Sequence, residues 1–302
     1  MRIHCFSMVR NEIDVLGFTL DAALEWADSI HICDNGSTDG TLELIQDYSA
    51  RYPGVVSYHQ VLEPFSEALR VEGVRSLWHR ASVGDWWCLL DGDEIYVDNP
   101  KVFLASVGQE YGRVLSASIQ FYFTEYDVER CSNGSVQWTP EFSTHYLMNW
   151  SETRFVRHQP RVPWTERWPA NEWMLHSAPK RIRLLHYQYR SPQQINERIQ
   201  SRHKGPPSSF SHEQAEVWVP RSLTEADLYR SDPLSLPKDL WKTRVVQSEA
   251  LRCYDPDNPP EVDERLLPPL PQQFRGLARI RHAVKYCLRN GTFIGSSGRV
   301  AD

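Results

Sequence analysis

The feature that most constrains the fold is an alternation of strand-like and helix-like runs through the first hundred residues. Ile3 to Val9 reads as a strand, and Asp14 to Trp26 places Leu16, Leu20 and Leu24 one turn apart, the stripe of a half-buried helix. Ser29 to Cys33 is a second, short strand. The polar turn from Asp34 to Thr41 leads into a helix through Leu42, Ile45 and Tyr48, and Val55 to His59 is a third strand. Ser66 caps a helix carrying Leu69, Val74, Leu77 and Trp78, after which Trp86-Trp87-Cys88-Leu89-Leu90 is an uninterrupted apolar strand. Parallel strands need crossovers, and amphipathic helices supply them. The expected class is α/β, a mostly parallel, Rossmann-like sheet flanked by helices on both faces.

A chain of 302 residues with 41% hydrophobic content can fill such a core. Its net charge of −6 is spread over mixed acidic and basic residues, with no electropositive track for a nucleic-acid backbone, so nucleic acid is excluded as a partner. No run approaches the roughly 18 apolar residues of a membrane span. Met1-Arg2-Ile3-His4 leads directly into a strand, so a soluble, cytoplasmic protein is expected. Cys5, Cys33, Cys88, Cys131, Cys253 and Cys287 form no Cys-x-x-Cys pair and read as small core hydrophobes.

Beyond Pro100 the alternation weakens. A helix over Lys101 to Tyr111 and a strand over Arg113 to Phe123 precede a long aromatic and polar stretch, about 124–180, of the kind that carries specificity. Arg181 to Tyr189 is a strand, and Ser191-Pro192-Gln193-Gln194 is a helix start. The division expected is a body over 1–190, a helical extension over 191–253, a proline-rich linker over 254–273 and a basic tail over 274–302. In the tail, Leu277, Ile280, Val284 and Leu288 share one helix face among Arg275, Arg279, Arg281, Lys285 and Arg289. Such a helix docks either on the body or, through 274–290, on an anionic membrane, which would place the protein on the inner membrane face.

Ligands of parallel sheets collect beyond the carboxyl ends of the strands. Three polar segments stand there: Ser7 to Glu12, Asp34 to Ser37, and Asp91-Gly92-Asp93-Glu94. Three carboxylates within four positions after a buried strand repel one another unless a cation relieves them, and Mg2+ or Mn2+ holding phosphate oxygens is the natural one. The chain has no Gly-x-x-x-x-Gly-Lys-Ser/Thr loop, which removes an NTPase reading, and Ile95 and Tyr96 stand where an EF-hand needs an oxygen ligand and glycine. Asp34 is placed to accept a hydrogen bond from a base or ribose. Thr38 and Asp39 read as helix caps, and Asn11 and Glu12 as either helix start or ligand contact.

Met8-Val9-Arg10-Asn11-Glu12, Asp34-Asn35-Gly36-Ser37-Thr38-Asp39-Gly40-Thr41 and Trp86 to Glu94 together resemble the successive motifs of glycosyltransferase family 2, whose fold is GT-A. The resemblance covers about 1–125, and His186-Tyr187-Gln188-Tyr189-Arg190-Ser191 is similar to an element of one branch. It implies a nucleotide-sugar donor, UDP-sugar foremost, contacted by Ser7, Val9, Arg10, Asn11, Glu12, Asp34, Asp91 and Gly92. Asp91 and Asp93 would hold Mn2+ or Mg2+ on the diphosphate, with His186 as a further ligand. Arg70 and Arg190 are candidates to meet the diphosphate. Inverting transfer to a glycan or other hydroxyl acceptor, in glycan or cell-surface polysaccharide synthesis, is implied with it. For the base, Glu172 comes first because tryptophans flank it; Glu152, Asp127 and Glu166 are alternatives. A sugar-phosphate nucleotidyltransferase and a catalytically silent carbohydrate-binding protein of the same fold are the competing readings.

Overall fold

The structure, a computed structural model, describes residues 1–132, 137–160, 168, 175–203, 218–229 and 238–271. The first half alternates as the sequence pattern requires: β1 (Ile3–Val9), α1 (Leu16–Leu24), β2 (Ser29–Asp34), α2 (Thr41–Arg51), β3 (Val56–Gln60), α3 (Glu67–Leu77) and β4 (Trp86–Leu89). Then follow β5 (Glu94–Tyr96), α4 (Pro100–Ala105), β6 (Arg113–Phe121), β7 (Phe123–Thr124), α5 (Glu125–Ser132), β8 (His145–Trp150), β9 (Thr153–Arg157), β10 (Ile182–His186) and α6 (Pro192–His203). Two short strands, β11 (Val245–Val246) and β12 (Arg252–Cys253), come last among the described residues.

The main sheet runs β12-β8-β6-β9-β4-β1-β2-β3. Its β4-β1-β2-β3 half is parallel, with Val9 opposite Asp34 and Phe6 opposite Leu89, so the ends of β1, β2 and β4 open on one crevice. From β4 outward β9, β6 and β8 pair antiparallel, while β10 lies parallel to β6 and antiparallel to β5. Both faces of the parallel half are covered. Trp26, Tyr96 and Phe155 meet edge-on or tilted beside the fully buried Trp86 on one side, and Trp78 stacks on Trp87 at 5.3 Å on the other. Burial of each such side chain contributes roughly 1.5–3 kcal/mol, which is why the strands read as apolar runs and not as alternating ones.

The partner line of β6 contains two irregularities. Ser118 faces Trp150 and Ile119 faces Met148, so Asn149 is one residue too many; Val114 faces Phe155 and Leu115 faces Thr153, so Arg154 is a second. Both are β-bulges, which re-aim side chains.

Three expectations change. The helix over Lys101 to Tyr111 is only α4, capped by Asn99, whose Oδ1 accepts from the backbone N–H of Lys101 and Val102; it stops where Ser106 donates to the Phe103 carbonyl at 2.6 Å. Beyond α6 the described part of 218–253 keeps helical character only as 3-10 turns at Glu225–Asp227, Leu240–Arg244 and Ser248–Ala250, with the short β11 and β12. Pro220 interrupts the helical spacing there. The described part of the proline-rich segment is not a free linker but a strap against the body. Tyr254 meets Phe121 edge-on at 5.2 Å, Leu267 is buried, Arg183 donates to the Pro260 carbonyl at 3.2 Å and Arg181 to that of Pro268. Proline lacks the N–H that a helix or ladder needs, so the extended strap makes few backbone bonds of its own, and these guanidinium groups take its carbonyls.

Candidate active site

The ends of β1, β2, β4 and β10 line a crevice of about 830 Å³, together with Trp150, Glu152 and Arg154 and residues of α6. Asn11 holds two of these ends together. It sits at φ 55°, a left-handed position that asparagine tolerates, where its N–H donates to Ser37 Oγ at 3.0 Å and its Oδ1 accepts from Thr38 N–H at 2.8 Å. Glu12 N–H donates to Thr41 Oγ1 at 2.9 Å, and Asp39 accepts from Thr41 N–H at 3.0 Å.

The second strand end differs from expectation. Asp34 is fully buried inside its own turn, accepting from Gly36 and Ser37 N–H and from Gln60 Nε2 at 2.9 Å, and does not line the crevice. Its neighbour Asn35 does. Both Asn35 Nδ2 hydrogens are directed at backbone carbonyls, Val61 at 3.0 Å and Glu63 at 2.8 Å, which fixes the amide and leaves Oδ1 as its acceptor. Ser7 is likewise buried within β1, while Val9 and Arg10 reach the crevice.

Asp91 and Asp93 stand at the crevice floor, with Gly92 between them because a Cβ there would lie 2.8 Å from Val9 Cγ1. Two buried arginines organise this floor. Arg154, the bulged residue of β9, donates to Asp91 at 2.9 Å, to Glu94 and to Glu152 at 3.0 Å. Arg190, fully buried after β10, holds Glu12, bonds Asp14 at 2.8 and 2.9 Å and lies 3.9 Å from Asp93. Asp93 also faces His186 Nε2 and Arg198 Nη1, each at 3.5 Å, and Asp91 faces Arg70 at 3.3 Å.

These partners set the protonation states. Burial works against ionisation of Asp93, but His186, Arg198 and Arg190 outweigh it and hold its carboxyl far below the usual range. Burial is outweighed in the same way at Asp91, by Arg154 and Arg70. At Glu94 burial wins over Arg154 and the carboxyl is pushed well up; at Glu12 it wins over Arg190 and raises the group to about 7. The two aspartates are therefore the ionised pair, and Glu94, paired with Arg154, is the carboxyl that burial pushes up.

Among the described residues no three His, Cys, Asp or Glu side chains are gathered into a cation cage. The donor set still suits Mn2+ or Mg2+, because two ionised carboxylates with an imidazole nearby are hard and borderline ligands. Ions of this kind complete their shell with substrate phosphate and water rather than with an all-protein cage.

Of the other residues singled out in the sequence, Asp127 accepts from Thr124 N–H and Oγ1 at 2.8 and 2.9 Å at the start of α5 and does not line the crevice. Glu166, Glu172 and the basic segment 274–290 lie outside the described residues. Trp150, Arg154 and Arg198 were missed. The alternation Trp150-Ser151-Glu152-Thr153-Arg154 was the available signal, since every second residue of an extended segment tends to one side.

Residues 8–127 match the family model of Glycosyl transferase family 2. This segment is similar to glycosyltransferase family 2. The matched segment begins near the end of β1 and runs through β7, with Asp91 and Asp93 inside it, whereas Glu152, Arg154, His186, Arg190 and Arg198 come from the chain after it. Among solved structures, S. aureus TarS 1–349 is similar at 13% identity and a TM-score of 0.37, over 66% of this chain and 63% of that one. GalNAc-T7, solved with UDP, GalNAc and Mn2+, is similar at 11% identity and a TM-score of 0.39, over 63% of this chain and 44% of that one. The match thus spans less than two thirds of either structure. No curated protein matches the chain at significant similarity. No helix among the described residues is long and apolar enough to cross a membrane.

Proposed function

We propose that the chain transfers a sugar from a nucleotide-diphosphate sugar to an acceptor hydroxyl by single, inverting displacement. The observation that carries this reading is the ionised Asp91 and Asp93 pair at the strand ends of a segment similar to glycosyltransferase family 2, facing a crevice large enough for such a donor. The nucleoside lies toward Asn35, whose fixed Oδ1 accepts from a base N–H, as the imide of uracil provides. Asp91, Asp93 and His186 would hold Mn2+ or Mg2+, which when bound neutralises charge on the departing diphosphate. Arg70 and Arg198, at the crevice wall, turn from the aspartates toward the phosphates as the donor enters. Glu152 is the described carboxylate on the acceptor side and takes the proton of the attacking hydroxyl.

The test is a thermal-shift screen of nucleotide sugars with and without manganese. A UDP-sugar is expected to raise the melting temperature only with the metal, and Asp93→Ala to abolish the effect while a folded spectrum is retained. An undiminished metal-dependent shift in Asp93→Ala would remove the assignment.

A further inference from the structure

The parallel edge of the sheet carries two histidines that take no part in the crevice. His31 of β2 pairs with Ser57 of β3, and His59 stands two residues further along β3, so both rings rise from the same face on neighbouring strands. His31 Nε2 and His59 Nδ1 are 2.7 Å apart, the ring planes differ by 25° with centroids at 4.9 Å, and both residues are half-buried. β3 is the last strand of the sheet, which places the pair at its edge. Neither histidine lines the crevice.

The sheet uses one device twice and ends it in two ways. His4 of β1 pairs with Ser29 of β2 and its Nδ1 meets Ser29 Oγ at 2.8 Å, as His31 Nδ1 meets Ser57 Oγ at 2.8 Å. The far nitrogen of the buried His4 then faces the Asp85 carboxylate at 3.6 Å, whereas that of His31 faces a second imidazole. A hydrogen bond between two neutral imidazoles uses one N–H and one lone pair, while a divalent ion in the proton's place takes both lone pairs. Burial first, with His59 and Arg80 adding to it, lowers His31 to about 4, and burial lowers His59 too, so at neutral pH protons compete little for the pair. Metal-binding histidines give their other ring nitrogen to a polar group that fixes the ring, which is the place Ser57 Oγ occupies.

The spacing selects the ion. Nitrogens each about 2.0 Å from an ion, at adjacent corners of a square, stand about 2.8 Å apart, close to the 2.7 Å of this pair, so a small turn of each ring brings both lone pairs onto one ion. Among first-row divalent ions Cu2+ favours this tetragonal arrangement and binds imidazole most tightly, whereas Mg2+ and Mn2+ favour oxygen ligands. Arg80, whose charge reaches His31, opposes any cation here and so favours the one with the strongest bond to imidazole. We propose that His31 and His59 form a two-imidazole site for Cu2+ at the sheet edge, its remaining positions filled by water, independent of the ion at Asp91 and Asp93. On binding, the proton between the rings moves from His59 Nδ1 to His59 Nε2, His31 keeps its Nδ1–H on Ser57, and no proton is released.

Titration of the full chain with Cu2+ in a non-coordinating buffer, followed by electron paramagnetic resonance and by NMR of the histidine rings, tests the site. One equivalent with nitrogen hyperfine structure is expected, with the His31 and His59 ring signals broadened before those of other histidines. His31→Gln and His59→Gln should each remove that equivalent, and Ser57→Ala should weaken it about 10-fold. Asp93→Ala should leave it unchanged, and excess Mn2+ should not displace it. His59→Gln, at a half-exposed edge position, is expected to keep the wild-type circular dichroism, so that a lost ion is not a lost fold. Equal Cu2+ affinity in His59→Gln, first broadening at other histidines, or loss of the equivalent in Asp93→Ala overturns the site.

Discussion

Arg190 bonds Asp14 through Nε at 2.8 Å and Nη2 at 2.9 Å, joining the segment after β10 to the segment after β1 across 176 positions of sequence. The guanidinium is fully buried and also meets Glu12, so Arg190→Met leaves two carboxylates without their counter-ion. Breaking a buried pair from one side costs about 3–5 kcal/mol. Urea denaturation should show a midpoint lowered accordingly, with Arg190→Lys between the two; a midpoint unchanged in Arg190→Met would mean that the network does not hold these strand ends.

Gly73 sets helix propensity against packing. Alanine in the interior of α3 should gain about 1 kcal/mol from propensity. A Cβ there, however, would stand 2.2 Å from Cζ of Phe6, a ring with 1% exposure and no room to retreat. Overpacking of a filled core costs about 1–3 kcal/mol, so Gly73→Ala is expected to lower the melting temperature. A gain in stability would show that the Phe6 ring can move aside.

His31 carries the pH prediction. Burial first, then His59 and Arg80, lower its imidazole to about 4, while its ring nitrogens meet Ser57 Oγ at 2.8 Å and His59 Nδ1 at 2.7 Å. The folded value lies below the unfolded one of 6.5, so the unfolded chain binds the proton more readily. Stability contributed by neutral His31 is present above pH 6.5 and drains away as the pH falls toward 4. An NMR titration should show the His31 ring still neutral at pH 5.5, and His31→Gln should flatten the acid limb of the stability curve; a ring that titrates near 6.5 contradicts both.

Leu267 anchors the proline-rich strap in the cluster of Phe121, Tyr146 and Tyr187. Truncating a buried leucine costs about 2–5 kcal/mol, toward the lower end where the site can relax. Leu267→Ala should therefore lower stability by about 2 kcal/mol and open the strap to limited proteolysis between Tyr254 and Pro271. Unchanged cleavage would show that the arginine contacts to proline carbonyls hold the strap by themselves.

The parallel half of the fold was legible because each of its cues is local: apolar runs for doubly covered strands, a leucine stripe for α1, and the Ser66 cap, whose hydroxyl accepts from Leu69 N–H at 3.3 Å. Asp91 and Asp93 were legible for the same reason, as charge standing directly after a buried run. What escaped is what depends on contacts far apart in the chain. Arg154 reaches Glu94 and Asp91 from about 60 positions away, and nothing near it in sequence announces that its guanidinium is buried. Asp34 and Asn35 show a finer limit. Both are buried, and only the turn hydrogen bonds decide that the carboxylate closes its own turn while the amide lines the crevice. Proline in 254–271 signalled extension correctly but could not say against what the extended chain would lie.

The two bulges opposite β6 act on geometry as a pleat acts on cloth. Each takes up one extra residue locally, so Met148 and Trp150 face successive residues of β6 with Asn149 gathered between them, and beyond Arg154 Phe155 stays in the core. Excising Asn149 would leave Met148 opposite Ile119 and Trp150 opposite Ser118, so each flank would keep its face and the wall would lose only the local bend and added twist that the extra residue supplies.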